Sequence, residues 1–319
     1  MISKPPTLTD SNNIADLEAA ARHYARASLS DNSIRGYASD WSDFEFWCKR
    51  TNKKSLPATP ETVALYLTKM SQHLKISSLR RRLTAIRKAH ELSKHSSPTK
   101  DERVRSVFRG ILRTKGEAQK HAAPTLIKHI QLIMESLPET TKGIRDRALL
   151  LLGFAGGFRR SELVGIDVED LLLSDEGIVV RIKRSKTDQT GRGKNVPISY
   201  GSNKKTCPVH AIKDWLQVSG KTKGALFCPI DQWGYLSPTR LTDQSVRSIL
   251  LDSLTKASIN PKDFSGHSLR AGFVTVSYIN GTPEESIQRT TGHTNLNVLR
   301  RYKRDADIFR NNASKKLGL

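Results

Sequence analysis

Apolar side chains recur at three- and four-residue steps along most of this chain, the spacing of one face of an α-helix, and that periodicity restricts the fold to a mainly helical one. It appears first at Ile34, Tyr37, Trp41, Phe44 and Trp47, five large side chains on one face that read as core. Thr59-Pro60-Glu61 then supplies an N-cap and a proline suited to the first helical position, ahead of Val63, Tyr66, Leu67 and Met70. Leu79, Leu83 and Ile86 mark a third helix whose other edge carries Arg80, Thr84, Arg87 and Glu91. Val104, Val107, Phe108, Ile111 and Leu112 mark a fourth, with Arg105, Arg109 and Arg113 stacked a turn apart on a separate face.

Further along, the pattern mixes types. Helical spacing over about 125–137 and 145–156 is followed by short β-rich runs, Ile178 to Ile182 and Asn195 to Ile198, with Gly191 and Gly193 between them as in a hairpin with a long basic loop. Helical patterns resume near 209–218, 242–257, 267–280, 284–291 and 295–303. The expected class is therefore mainly α with a small β-sheet, an α+β fold. At roughly 100–200 residues per domain, 319 residues suggest two. A polar stretch containing Gly116 and ending in Ala122-Ala123-Pro124 divides them. The boundaries read as a flexible lead over 1–19, a helical domain over 20–115, a linker over 116–124, a second domain over 125–303 and a tail over 304–319.

Charge narrows the partner. Lys and Arg number 53 against 31 Asp and Glu, a formal charge of +22, more than solubility asks for. Between Lys75 and Lys115 stand 13 basic and 3 acidic residues, so ten of the net charges lie in that stretch. Signs that alternated would mark an ordinary solvated face, but these do not alternate. Arg80, Arg81, Arg87, Lys88, Arg105, Arg109 and Arg113 are the candidates to follow a phosphate backbone, a sequence-independent attraction that weakens in salt. A polyanion, most simply nucleic acid, is the expected partner. No run approaches a membrane span, and the opening residues lack the apolar core of a signal peptide. Cys48, Cys207 and Cys228 are odd in number, far apart and without a CxxC pair, which suits a reducing cytoplasm and argues against zinc.

Familiar nucleotide chemistry fails on inspection. Gly220-Lys221-Thr222 has the ending of a phosphate-binding loop, yet that loop needs glycine where Trp215 stands. The carboxylates that a two-metal nuclease would gather are few: Asp167, Glu169, Asp170, Glu284 and Glu285 read better as loop and first-turn residues. Neither a metal nor another cofactor is called for, and no small-molecule substrate is indicated.

What remains is a series of cations, histidines and a tyrosine. Gly157-Phe158-Arg159-Arg160-Ser161-Glu162-Leu163 follows an apolar helix, Lys186 lies in the hairpin loop, His267-Ser268-Leu269-Arg270 follows, then Gly292-His293, and Tyr302 nine residues later. In this order and spacing the sequence resembles the tyrosine recombinases, or phage-type integrases, and the basic helical domain resembles that family's core-binding domain. With so little chain ahead of residue 20, the likeness is to the simple two-domain members. The resemblance implies a site-specific enzyme that cuts and rejoins DNA through a 3′-phosphotyrosyl intermediate without metal or ATP. It also implies two domains on opposite sides of a duplex, four protomers joining two duplexes, and a cytoplasmic, nucleoid-associated protein.

The residue types fit that chemistry. Arg159 and Arg270 stay ionised and bind phosphate oxygens in forked geometry. His267 would take a proton or hydrogen-bond the site, and His293 would hold a nonbridging oxygen where some relatives carry Trp. Lys186 is the chosen acid for the departing sugar oxygen, with Lys183 and Lys194 as local competitors. Glu162 would orient a cation or histidine from behind. Arg160 departs from the usual small or apolar residue, and the flanking Gly-Phe-Arg and Arg-x-Ser-Glu patterns select Arg159. Tyr302 alone of the tyrosines has the family spacing from Gly-His, in a polar and basic hexapeptide that offers it no bulky apolar neighbour. Its tail beyond residue 303, with Ile308, Phe309 and Leu317, would dock on a neighbouring protomer. Two alternatives stay open: a type IB topoisomerase-like relaxing enzyme, and a noncatalytic DNA-binding protein on the same fold.

Overall fold

In the computed structural model, which describes residues 14–116, 122–183 and 193–307, the chain divides into two units, Met1–Gln119 and Lys120–Leu319. Among the described residues, five α-helices build the first: α1 (Ile14–Ala27), α2 (Asp31–Arg50), α3 (Pro60–Ser71), α4 (Ile76–Leu92) and α5 (Glu102–Lys115). Their starts are chemically marked. Ser30, Thr59 and Asp101 cap α2, α3 and α5 by accepting the backbone N–H of Ser33, Thr62 and Arg103. The aromatic stripe of α2 then packs inward, with Phe44 buried among Tyr66, Leu67, Leu79, Ile86 and Val104, and with Trp41 and Trp47 against the same core. One expectation fails: the polar lead is helical from Ile14 onward. Ile14, Leu17, Ala21 and Tyr24 do recur at helical steps, but α1 buries only Ala20 and leaves Ile14, Leu17 and Tyr24 exposed.

The second unit opens with α6 (Ile127–Ser136), α7 (Thr141–Ala155) and α8 (Arg160–Gly165), then strands β1 (Leu171–Leu173), β2 (Gly177–Ile182) and β3 (Lys194–Ser199). The sheet is antiparallel in the order β1-β2-β3, with Val179 opposite Leu172 and Val180 opposite Val196. Ile178, Val180, Ile182, Val196 and Ile198 form its inner face and join Leu149, Leu150 and Leu152 of α7 in one core. Helices α9 (Pro208–Ser219), α10 (Asp243–Lys256), α11 (Ser268–Ile279), α12 (Glu284–Thr291) and α13 (Leu296–Asp307) complete the unit. Trp215 of α9 is fully buried and donates its indole N–H to the Leu226 carbonyl. Helix α13 runs four residues past the end expected for the second domain at 303. Among the described residues no helix is long and apolar enough to cross a membrane.

His90 ties the first unit together. It is fully buried, donating from Nδ1 to the Ile86 carbonyl (2.8 Å) and accepting the Ala58 N–H at Nε2 (2.9 Å). Protonating Nε2 would set two donors against each other, and burial lowers the ring's pKa below its ordinary value. The unfolded chain therefore binds the proton first as pH falls, and stability is lost below about pH 6.5. The protection factor of the Ala58 amide in hydrogen exchange should fall from pH 7 to pH 5, by at most about tenfold per pH unit. His90→Gln should be less stable at pH 7 and show a flatter profile.

Candidate active site

Helix α7 ends on two glycines, and the second has to be one. Gly157 has φ +55°, and a Cβ there would lie 2.7 Å from Cδ1 of Phe273 and 3.2 Å from Cγ2 of Thr291. The turn sends the chain into α8, with Arg159 as its N-cap. The backbone N–H of Arg159 donates to Glu162 Oε2 (2.9 Å) and its guanidinium Nη1 to Oε1 (2.5 Å). Glu162 is buried, so both its oxygens are committed to Arg159. Arg160 turns elsewhere: its stem lies over Gly266 and its guanidinium pairs with Asp243 (3.6 Å). Arg159, and not Arg160, belongs to the cluster.

The rest of the cluster gathers on the carbonyl end of α12. Lys194 Nζ donates to the Thr290 carbonyl (2.7 Å), Arg270 Nη2 to that of Thr291 (2.7 Å) and Arg159 Nη2 to that of Gly292 (3.3 Å). Three consecutive carbonyls, which the helix leaves without partners as it ends, thus hold three cations from β3, α11 and the start of α8. Gly292 itself, at φ +65°, ends the helix in the left-handed region. Arg270 is buried and is held from below by a bond from Nη1 to the Gly157 carbonyl (2.7 Å). Mutual repulsion shows in the proton affinities. Burial first, then Arg270 and Arg159, pushes Lys194 down to about 8, against the pull of Glu162. Arg270 is brought down to about 10 by burial and Arg159, with Glu162 and Tyr302 opposing.

His293 follows directly. Its ring lies 3.3 Å from Arg270 Nη2, its Nδ1 is 2.7 Å from the Thr291 hydroxyl, and its carbonyl accepts from Gln288 Nε2 (2.9 Å). Burial and the surrounding Arg270, Arg159 and Lys194 push its pKa down to about 3, so the free ring is neutral. Tyr302 lies on α13. Contrary to the reading of its hexapeptide, it has apolar company: it packs with Phe273 and Tyr278 against Val274, Ile287 and Leu299. Leu299 belongs to α13 itself, but Phe273, Val274, Tyr278 and Ile287 come from α11 and α12, which the local sequence cannot show. His267 stands exposed at the start of α11, its backbone N–H bonded to Ser265 Oγ (3.2 Å). Lys183 faces away, paired with Asp167 (3.0 Å) and Asp170 (2.9 Å). Lys186 lies outside the described residues. The structure thus brings together Arg159, Glu162, Arg270, His293 and Lys194, and adds Thr291, for which the sequence offered no signal.

The basic faces of the first unit are more internally paired than charge counting suggests. Arg81 makes a forked bond to buried Asp40 (2.6 and 3.0 Å), and Arg109 is paired with Glu102 and bonded to Ser106. Arg87 reaches Glu91 (3.8 Å), Lys88 lies over Tyr37 and Arg80 over Phe108. Arg105 and Arg113 are exposed on α5.

Comparison with known proteins gives these positions a setting. The sequence model of the phage integrase family matches residues 126–307. An integrase/recombinase XerD homolog of Selenomonas ruminantium is 36% identical, over 93% of this chain and 88% of that protein. In fold, the chain is similar to the XerH site-specific recombinase bound to a palindromic difH substrate in a post-cleavage complex, with a TM-score of 0.65, 16% identity and coverage of 92% and 82% of the two chains. It is also similar to a lambda integrase tetramer bound to a Holliday junction, with a TM-score of 0.61, 13% identity and coverage of 91% and 76%.

Glu162 is the carboxylate on which Arg159 depends. Removing one member of a buried ion pair strands the other, at a typical loss of about 3–5 kcal/mol. Glu162→Ala should lower the unfolding free energy by that order, read from the shift in denaturant midpoint. Glu162→Gln, which still accepts the Arg159 N–H, should lose less.

Proposed function

The chain belongs to the phage integrase family, the tyrosine recombinases, and we propose that it is a site-specific DNA recombinase acting through a phosphotyrosyl ester on Tyr302. The observation that carries this reading is the seating of Arg159, Arg270 and His293 on one turn of main chain that leads directly into the helix of Tyr302. A guanidinium has five N–H donors, so each arginine keeps donors for a phosphate beyond those its carbonyl partners use. Charge on the nonbridging oxygens grows as a fifth oxygen adds to phosphorus, and two fixed cations stabilise that state most.

In this reading the Tyr302 oxygen forms a bond to phosphorus as the bond from phosphorus to the 5′-oxygen breaks. The phenolic proton passes to His267, and the 5′-oxygen takes a proton from Lys186. The products are a 3′-phosphotyrosyl ester and a free 5′-hydroxyl. A 5′-hydroxyl from another strand then attacks the ester and releases the phenol, so the number of phosphoester bonds is conserved and no ATP is consumed. The positive charge comes from arginine rather than from a metal.

The first unit acts as the core-binding domain, with Arg105 and Arg113 as its leading phosphate contacts and Arg80, Arg87 and Lys88 beside them. Arg81 and Arg109, already paired to carboxylates, serve mainly to hold the helices. Two DNA duplexes in a tetramer are the working assembly, by analogy with the lambda integrase tetramer on its junction. The tail over 304–319 docks on a neighbouring protomer; residues 308–319 lie outside the described structure.

A nicked suicide substrate tests the chemistry. Wild-type chain should remain attached to labelled DNA after denaturation, with the label mapping to the peptide of Tyr302, and Tyr302→Phe should bind DNA normally without forming the adduct. Arg159→Ala should slow cleavage by about 100- to 1,000-fold with a smaller effect on binding. Attachment through another side chain, or none at all, would overturn the reading. Arg105→Ala should instead weaken binding across sequences and reduce the slope of log affinity against log salt by about one.

A further inference from the structure

The Thr291 hydroxyl lies 2.7 Å from the Ile287 carbonyl oxygen and 2.7 Å from Nδ1 of His293. It is fully buried, so both contacts have to be met from within the protein. A hydroxyl has one hydrogen, and a carbonyl can only accept. Bonding to Ile287 therefore spends that hydrogen and turns a lone pair towards His293, as threonines near helix ends commonly do.

The imidazole completes the count. A neutral ring has one N–H and one lone pair, and Arg270 Nη2, which can only donate, stands 3.3 Å from each ring nitrogen. With the ring proton on Nδ1, every donor has an acceptor: Arg270 gives to Nε2, Nδ1 gives to the Thr291 oxygen, and the Thr291 hydroxyl gives to Ile287. With the proton on Nε2, the single lone pair on Nδ1 faces two neighbours: either Thr291 abandons Ile287 to serve it and the guanidinium finds none, or Arg270 takes it and the Thr291 oxygen faces it lone pair to lone pair at 2.7 Å.

We infer that Thr291 is a positioning residue for the reaction: its hydroxyl grips His293 by Nδ1 and keeps Nε2 as the nitrogen that meets the phosphate. The role in the reaction rests on the recombinase reading, whereas the tautomer does not. The arrangement has a chemical merit. The bond from Nδ1 to Thr291 is the same in the neutral and the protonated ring, so when Nε2 takes a proton beside an incoming phosphate only the Arg270 donor on that side has to turn away, and the hold behind the ring is unchanged.

Nitrogen-15 NMR of the full chain labelled at histidine tests this, with the His293 signals identified by their loss in His293→Gln. Wild-type chain should show His293 protonated at Nδ1 and bare at Nε2. The near-isosteric Thr291→Val should shift the ring towards a mixture of tautomers and slow phosphotyrosyl adduct formation by about tenfold, the worth of one hydrogen bond, with DNA binding unchanged. Thr291→Ser should restore both. A wild-type ring protonated at Nε2 would overturn the inference even if the valine variant failed to fold, as would an unchanged tautomer in a folded valine variant. A wild-type chain that shows the expected tautomer but forms no adduct would overturn the recombinase reading and leave Thr291's hold on the ring intact.

Discussion

Three positive side chains are held within one small volume because the end of α12 has three carbonyls to offer them. Lys194, Arg270 and Arg159 take Thr290, Thr291 and Gly292 in succession, and Glu162 adds a full negative charge from the side of α8. Partial charges on free carbonyls offset repulsion among cations drawn out of water. The compensation is incomplete, as the lowered proton affinities of Lys194, Arg270 and His293 record. A site in this condition favours any anion that enters it, and the surrounding fold serves to keep the cations from relaxing apart. Gly157 is part of that scaffold, because the carbonyl it turns inward is the second support of Arg270.

How much of this was legible depended on whether the information was local. The helices α2, α3, α4 and α5 were readable because an apolar stripe, an N-cap or a proline at the first position is written into consecutive residues. Strand β1 spans only Leu171–Leu173, too short to establish a period, and α8 is a six-residue helix that follows α7 with only a brief turn between. The helix α1 carries the periodicity too, in Ile14, Leu17, Ala21 and Tyr24, but among polar residues and with only Ala20 buried, so its stripe meets no core. The arginines and His293 stood out as residue types in a spacing. Lys194 and Thr290 are 96 positions apart, and a contact of that kind leaves no trace in spacing.

Charge was the least faithful guide. Arg81 and Arg109 stood among the outward cations in the sequence, yet one clasps Asp40 across two helices and the other pairs with Glu102 on its own helix. A surplus of positive charge over a segment measures its field at a distance, whereas the identity of the side chains that touch a partner depends on which carboxylates fold back against them. Tyr302 makes the complementary point. Among basic neighbours in sequence, its ring nonetheless rests on Val274, Ile287 and Leu299, which restricts a side chain that would otherwise sample many directions.

The left-handed turn at Gly292 does more than finish a helix. From it the main chain passes through His293 and reaches Leu296, where α13 begins, so the span between the last anchored carbonyl and the helix of Tyr302 is at most a few residues at ~3.5 Å each. The Tyr302 helix is in effect suspended from the same peg on which the guanidiniums hang. Under the function proposed above, that short tether sets how far the phenol stands from the cations, which makes it the natural place for a lineage to adjust when a strand is cut without dismantling the means of cutting it.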